Sequence, residues 1–202
     1  MVDISKYSRD LSNTEIIYIK NFLSKDDSVA LINVVTTILN SPSSESNQYL
    51  GYSNDGQINS TDKPYVFLGN YYDPEIKKIV DNASLNAKTI YEELYKKSDT
   101  RYFLDFGTIN VMKPGGSMSP HADSGPGLTT GVDTPHGLVL YLNDDYEGGE
   151  LYYPNLEITI KPEAGSLVIH PGNEDYLHGV SPVTSGLRYV TTAFSKDPLI
   201  VL

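Results

Sequence analysis

Cysteine is absent from this sequence, which removes disulfides, zinc–thiolate sites and thiol nucleophiles together and leaves the fold to its core. Basic residues are scarce as well: 15 Lys and Arg stand against 26 Asp and Glu, a formal net charge of −11, with no Lys/Arg-rich run. A surface that follows phosphates needs clustered cations, so nucleic acid is not an expected partner. Long apolar runs are missing too. Nothing approaches the ~18 residues a membrane helix requires, and the opening MVDISKYSRDLSN lacks the apolar centre of a signal peptide. No membrane partner is expected, and the expectation is an intracellular, cytoplasmic protein. Histidine is the last scarcity. There are only four, His121, His136, His170 and His178, so any imidazole-based metal site must draw on these.

What is present describes a globular chain. Of 202 residues, 39% are hydrophobic and 20% charged, which suits one domain of ordinary size spanning 1–202. Its first hundred residues read as helical and strand support and 101–197 as a β core. Tyrosine is abundant (16) while tryptophan is missing, a bias that fits strand faces and polar cavity walls.

Residues 15–22, EIIYIKNF, form a β-branched run that predicts a strand. Ser24 is placed to cap a helix with Asp26 and Asp27 in its first turn, and Val29, Ala30, Ile32, Val35 and Leu39 supply an apolar face up to Asn40. Residues 41–47 read as a loop, 49–63 as a long loop or loose hairpin, and 65–68 as a short strand. Asp73-Pro74 opens the clearest helix, with Asp73 as cap, Pro74 at the first position and Glu75 after it. Its stripe is Ile76, Val80, Ala83, Ala87, Ile90 and Leu94, with Lys96 and Lys97 at the end. From residue 102 the character changes to short strands (102–112, 137–143, 150–154, 156–160, 165–170, 187–194) punctuated by Gly and Pro turns. Such a series implies a sandwich, barrel or jelly roll, with the two helices packed on one face. The class is mainly β with supporting helices (α+β).

The stretch with chemistry in it is Ser119-Pro120-His121-Ala122-Asp123-Ser124. In an extended segment His121 and Asp123 point to the same side, so one metal ion can accept both. Alone the pattern is weak, since four His and 26 acids in 202 positions give about half a match by chance. A third ligand must come from His136, His170 or His178. His178 sits in DYLHGVSPV at the entry to a strand, 55 residues after Asp123. Two His and one carboxylate leave coordination positions open, as in non-haem Fe(II) oxygenases. Ten residues further on, Arg188 shares one strand face with Val190, Thr192 and Phe194, and Tyr189, Thr191 and Ala193 share the other. A buried Arg requires an anion. No acid on this strand provides one, so a bound carboxylate is the natural candidate.

PHADS, YLNDDYEGGELYYP, GSLVIHPG and HGVSPV followed by GLRYVTTAF together resemble the double-stranded β-helix (jelly-roll, cupin-like) core of the Fe(II)/2-oxoglutarate-dependent dioxygenases, most closely the prolyl 4-hydroxylase-like branch. The resemblance covers residues 106–194. It implies that His121, Asp123 and His178 ligate iron and that Arg188 anchors the distal carboxylate of 2-oxoglutarate. Tyr141 and Thr192 would support that carboxylate, with Val139 and Leu151 as apolar walls. Fe(II), 2-oxoglutarate and O2 are the implied cofactors, with ascorbate as an optional reductant. The implied reaction hydroxylates an unactivated C–H of a prolyl or other peptidyl residue, or else of a free amino acid or small metabolite. Because Asp123 is retained where halogenating relatives replace the carboxylate, the resemblance implies hydroxylation. One departure is visible: positions nine and three before His121, often tyrosine in prolyl hydroxylases, hold Met112 and Met118.

Blander readings accompany these. Asp123 is also suited to an Asx turn, and Tyr141 and Thr192 to plain packing. His136, in a polar loop after Pro135, is expected to be ordinary or at most to touch substrate, and His170 is expected to be structural. Two other functions fit parts of the pattern. A non-enzymatic cupin-like binding module would keep the fold without turnover, and a zinc hydrolase or isomerase would use His121, Asp123 and His178 to activate water. The latter leaves Arg188 and Tyr141 unexplained.

Overall fold

A computed structural model describes residues 14–40, 50–52, 64–68, 73–95, 106–124 and 136–195. The chain begins with β1 (Ile17–Ile19), shorter than the expected strand over 15–22. The strand ends early because Asn21 adopts a left-handed backbone, φ 53°, a conformation Asn tolerates better than most residues. Helix α1 (Lys25–Asn40) follows. Ser24 Oγ accepts the Asp27 amide at 3.1 Å and donates to the Asp27 carboxylate at 2.7 Å, a reciprocal cap of the kind expected there. The face that α1 buries is Ser28, Leu31, Val35 and Ile38, whereas Val29 is 46% exposed. The expected stripe through Val29 is thus corrected. Apolar residues run round more than half of this helix, so spacing alone does not choose which arc meets the sheet.

Strand β2 (Leu50–Tyr52) pairs antiparallel with β3 (Pro64–Phe67); β2 lies at the start of the stretch read as a long loop or loose hairpin (49–63), β3 answers to the short strand expected over 65–68, and the expected loop at 41–47 lies outside the described residues. Helix α2 (Pro74–Tyr95) starts on Asp73, whose Oδ1 accepts the amides of Glu75 at 2.9 Å and Ile76 at 3.3 Å. Ile76, Val80, Ala83, Ala87 and Ile90 are buried as the periodicity predicts. Tyr91 joins them, and Leu94 is only partly covered. Lys96 and Lys97 lie outside the described residues. Among the described residues no helix is long and apolar enough to cross a membrane.

The remaining strands are β4 (Thr108–Met112), β5 (Met118–His121), β6 (His136–Tyr141), β7 (Glu147–Gly148), β8 (Leu151–Tyr153), β9 (Ile158–Ile160), β10 (Leu167–Pro171), β11 (His178–Val180), β12 (Val183–Ser185) and β13 (Arg188–Ser195). One sheet runs β1-β10-β6-β13-β4-β3-β2 and a second runs β5-β11-β8-β9, with β12-β7 as a short ribbon. All pairings are antiparallel. Two facing antiparallel sheets with helices on one side make a mainly β, α+β fold of jelly-roll (double-stranded β-helix) type.

Strand alternation decides what faces what. Leu138 and Leu140 on β6, Leu167 and Ile169 on β10, and Tyr189 and Ala193 on β13 turn outward and form one core with α1 and α2. Tyr141, Val168 and Val190 turn inward and pack with Leu151, Tyr153 and Ile160 of the second sheet. The larger sheet is therefore buried on both faces, and the functional side chains occupy the inner one.

Candidate metal centre and its cavity

Strands β5 and β11 pair so that His121 and His178 stand directly opposite each other, with ring centroids 4.5 Å apart. Each ring is oriented by a backbone carbonyl two residues earlier. His121 Nδ1–H donates to Ser119 at 3.0 Å and His178 Nδ1–H to Tyr176 at 3.2 Å. A carbonyl can only accept, so both Nε2 atoms carry lone pairs. These lone pairs face Asp123, whose Oδ1 lies 3.7 Å from His121 Nε2 and 3.7 Å from His178 Nε2. All three candidate ligand atoms fall within 4.8 Å of one another.

Three lone-pair donors converge here, His178 and Asp123 nearly buried and His121 40% exposed, a set that fits a divalent cation. Their protonation behaviour follows from the same geometry. Burial pushes Asp123 up to about 6, against the lowering influence of His121. Burial, and then His121, pushes His178 down to about 4. Asp123 is held in place by its surroundings. The next amide, Ser124 N–H, donates to the Gly172 carbonyl at 2.9 Å. On the other side Gly137 of β6 leaves room for the carboxylate, because a Cβ there would overlap Asp123 Oδ2 and come within 2.9 Å of His170 Nε2.

The triad opens on a cavity of about 340 Å³ between the sheets. Arg188, Val190, Thr192 and Phe194 of β13 all line it, as period-two alternation predicts. Arg188 is only 3% exposed. Its Nη2 donates to the Tyr141 hydroxyl at 3.3 Å, its guanidinium lies 5.1 Å from the centre of that ring, and its Nε has no hydrogen-bond partner among the described residues. Among the described residues no carboxylate pairs with it. A cation buried without a counter-ion is costly, so this end of the cavity fits an anionic group. Tyr141 is fully buried, and burial pushes its hydroxyl up to about 12, more than Arg188 pulls it down. It therefore stays a neutral donor. Burial likewise raises Tyr146, which also faces Arg188.

The structure brings His121, Asp123, His178, Arg188, Tyr141, Thr192, Val139 and Leu151 to one cavity, and Met112 and Met118 line it too. It corrects the reading of His136. That residue opens β6 instead of lying in a loop, and its Nδ1 is 3.0 Å from the Tyr91 hydroxyl of α2, beside the rings of Tyr91 and Tyr95. It belongs to the helix–sheet contact. His170 is structural in being fully buried, yet it faces the cavity. The signal for this was its alternation with Val168, two residues earlier on the inner face. Gly137 and Asn110, both cavity-lining, carried no such signal.

Comparison with known proteins gives a consistent result. Residues 107–196 match the sequence profile of the 2OG-Fe(II) oxygenase superfamily. A PKHD-type hydroxylase from Pseudomonas putida is 38% identical over 97 residues, covering 44% of this chain and 42% of that protein. A PKHD-type hydroxylase from Prochlorococcus marinus is 34% identical over 128 residues, covering 62% and 57%. The chain thus spans about half the length of these curated relatives. The crystal structure of a Pseudomonas putida prolyl-4-hydroxylase superposes with a TM-score of 0.66 at 19% identity, over 94% of this chain and 96% of that one, a likeness of fold.

Proposed function

With its β core, residues 107–196, a member of the 2OG-Fe(II) oxygenase superfamily, we propose that this chain is an Fe(II)- and 2-oxoglutarate-dependent dioxygenase that hydroxylates a prolyl or other peptidyl residue. The observation that carries the reading is one cavity with two complementary ends: three converging lone-pair donors at one, and at the other a buried arginine without a counter-ion among the described residues.

His121, Asp123 and His178 would hold Fe(II) through Nε2, a carboxylate oxygen and Nε2. Arg188 would hold the far carboxylate of 2-oxoglutarate, with the Tyr141 and Thr192 hydroxyls beside it. When bound, iron and 2-oxoglutarate supply the oxidising chemistry: O2 gives one oxygen atom to the cosubstrate, which leaves as succinate and carbon dioxide, and the other to a substrate C–H. The chain's own task is positional. The two imidazoles are fixed by backbone carbonyls, and apolar neighbours such as Val139, Leu151 and Val190 keep water from the cosubstrate. A peptidyl substrate is favoured by the name of the prolyl-4-hydroxylase that shares the fold. The net charge of −11 speaks against nucleic acid.

The test is succinate release from 2-oxoglutarate with Fe(II), against proline-containing peptides and free amino acids. Peptide-dependent succinate, with the product 16 Da heavier, is the expected result. Stimulation only by a free amino acid would move the substrate class, and no turnover with any substrate would favour a binding module. His121→Ala and Asp123→Ala should abolish turnover. Arg188→Met should raise the 2-oxoglutarate requirement at least about 30-fold, since truncating one side of a buried charge pair costs roughly 2–5 kcal/mol. Unchanged behaviour in these variants sinks the assignment.

A further inference from the structure

Two hydrogen-bonding atoms of the cavity are left over once the triad and the Arg188 end have been assigned. Asp123 Oδ2 and His170 Nε2 are both buried, and among the described residues neither has a hydrogen-bond partner. His170 is fully buried on the inner face of β10, directly across from Gly137 of β6, and its ring centroid lies 4.2 Å from that of His178. Its Nδ1 is 3.2 Å from the Pro171 carbonyl. That carbonyl can only accept, so the proton sits on Nδ1 and Nε2 presents a lone pair.

Asp123 Oδ1 is the oxygen turned toward the two imidazoles, and a carboxylate that ligates a metal is ionised, so Oδ2 is an acceptor as well. The two atoms flank a single spot. His170 Nε2 lies 2.9 Å from the place a Cβ on Gly137 would occupy, and Asp123 Oδ2 lies closer still. Two acceptors cannot bond to each other. A molecule with two donors can join them, and water, forming bonds of about 2.8 Å to each, is the smallest that does so.

We propose that His170 is a positioning residue for Asp123: one water donates a hydrogen to His170 Nε2 and the other to Asp123 Oδ2, and so holds the carboxylate with Oδ1 toward the metal. The proposal rests on the reading of His121, Asp123 and His178 as a metal site. It assigns a purpose to a histidine that neither ligates the metal nor reaches the Arg188 end. It also accounts for the missing side chain at Gly137, which would otherwise fill the place where the two acceptors approach. A ligand carboxylate tethered through its second oxygen keeps one oxygen on the metal and leaves the neighbouring coordination position open. Partners of this kind are typically worth 10- to 100-fold in metal affinity.

The experiment titrates Co(II) into the full chain without 2-oxoglutarate or substrate, following visible absorption and heat. His170→Phe keeps a ring against Tyr153 and His178 but removes the acceptor, and His170→Gln restores one. The expected result is a Co(II) Kd raised about 10- to 100-fold in H170F and largely restored in H170Q. The absorption of the bound ion should change in H170F, with the metal-free Tm unchanged or higher. An H170F chain that binds Co(II) as the wild type does overturns the proposal. So does a loss of affinity matched by a fall in metal-free Tm, because that describes a purely structural residue. A wild-type chain that binds no Co(II) fails earlier and overturns the metal-site reading itself.

Discussion

Replacing Gly137 by alanine tests the metal centre at a residue that carries no functional group. Gly137 lies in the middle of the larger sheet, paired with His170 on one side and Phe194 on the other, so its backbone has little freedom to retreat. The added methyl would overlap Asp123 Oδ2. Restoring an ordinary separation of about 3.5 Å requires the carboxylate to withdraw by roughly 1 Å, while the imidazoles stay where the Ser119 and Tyr176 carbonyls hold them. A metal ligand displaced by that distance is lost from the coordination sphere. Loss of an outer partner alone costs 10- to 100-fold in affinity, so loss of the ligand is expected to cost at least about 100-fold, or about 2.8 kcal/mol. The metal-free fold should suffer less. Overpacking costs roughly 1–3 kcal/mol, and withdrawing Asp123 relieves a carboxylate that burial already disfavours. Co(II) titration and thermal melting of the same metal-free sample measure the two quantities. A G137A chain whose Co(II) affinity stays within threefold of the wild type would refute the placement of Asp123 against β6.

The titration of the triad sets a second expectation. Asp123 is raised from 3.8 to about 6, so the stability it contributes is present below 3.8 and lost as pH rises through 6. His178 is lowered from 6.5 to about 4, so its penalty is full below 4 and lifted as pH rises to 6.5. Between about 4 and 6 the folded pair carries its proton on Asp123 and the unfolded pair on His178. The two slopes therefore cancel, and metal-free Tm should be nearly flat there. Metal binding must expel the Asp123 proton, so affinity should hold above pH 6 and fall about tenfold per unit below it; a Co(II) Kd that is constant down to pH 5 would contradict this. On α1, Leu31→Ala should cost roughly 2–5 kcal/mol because Leu31 is 2% exposed, while Val29→Lys at 46% exposure should stay within about 0.5 kcal/mol. Urea melts that rank the two in the opposite order would reject the observed face of the helix.

Local chemistry is what could be read along the chain. The Asp73-Pro74 cap and its stripe define α2 because capping and 3.6-residue periodicity operate within one or two turns. The inward set Arg188, Val190, Thr192 and Phe194 follows from strand alternation in the same way, and the mainly β architecture follows from short strands between Gly and Pro turns. Where several apolar arcs competed, as around α1, the sequence left the choice open, since burial depends on which arc the sheet meets. His136 shows the same limit: a histidine after Pro135 looks like a loop residue until β6 places it against Tyr91 of α2.

The sequence by itself determined the donor types, their order and the strand faces they occupy: His121 and Asp123 two residues apart, His178 at a strand entry, Arg188 on an inward face. The tertiary structure alone decided that β5 and β11 pair with His121 opposite His178, that among the described residues Arg188 has no carboxylate beside it, and that Gly137 and His170 border Asp123. Those are contacts between strands remote in sequence. Register and packing create them, and no local periodicity records either.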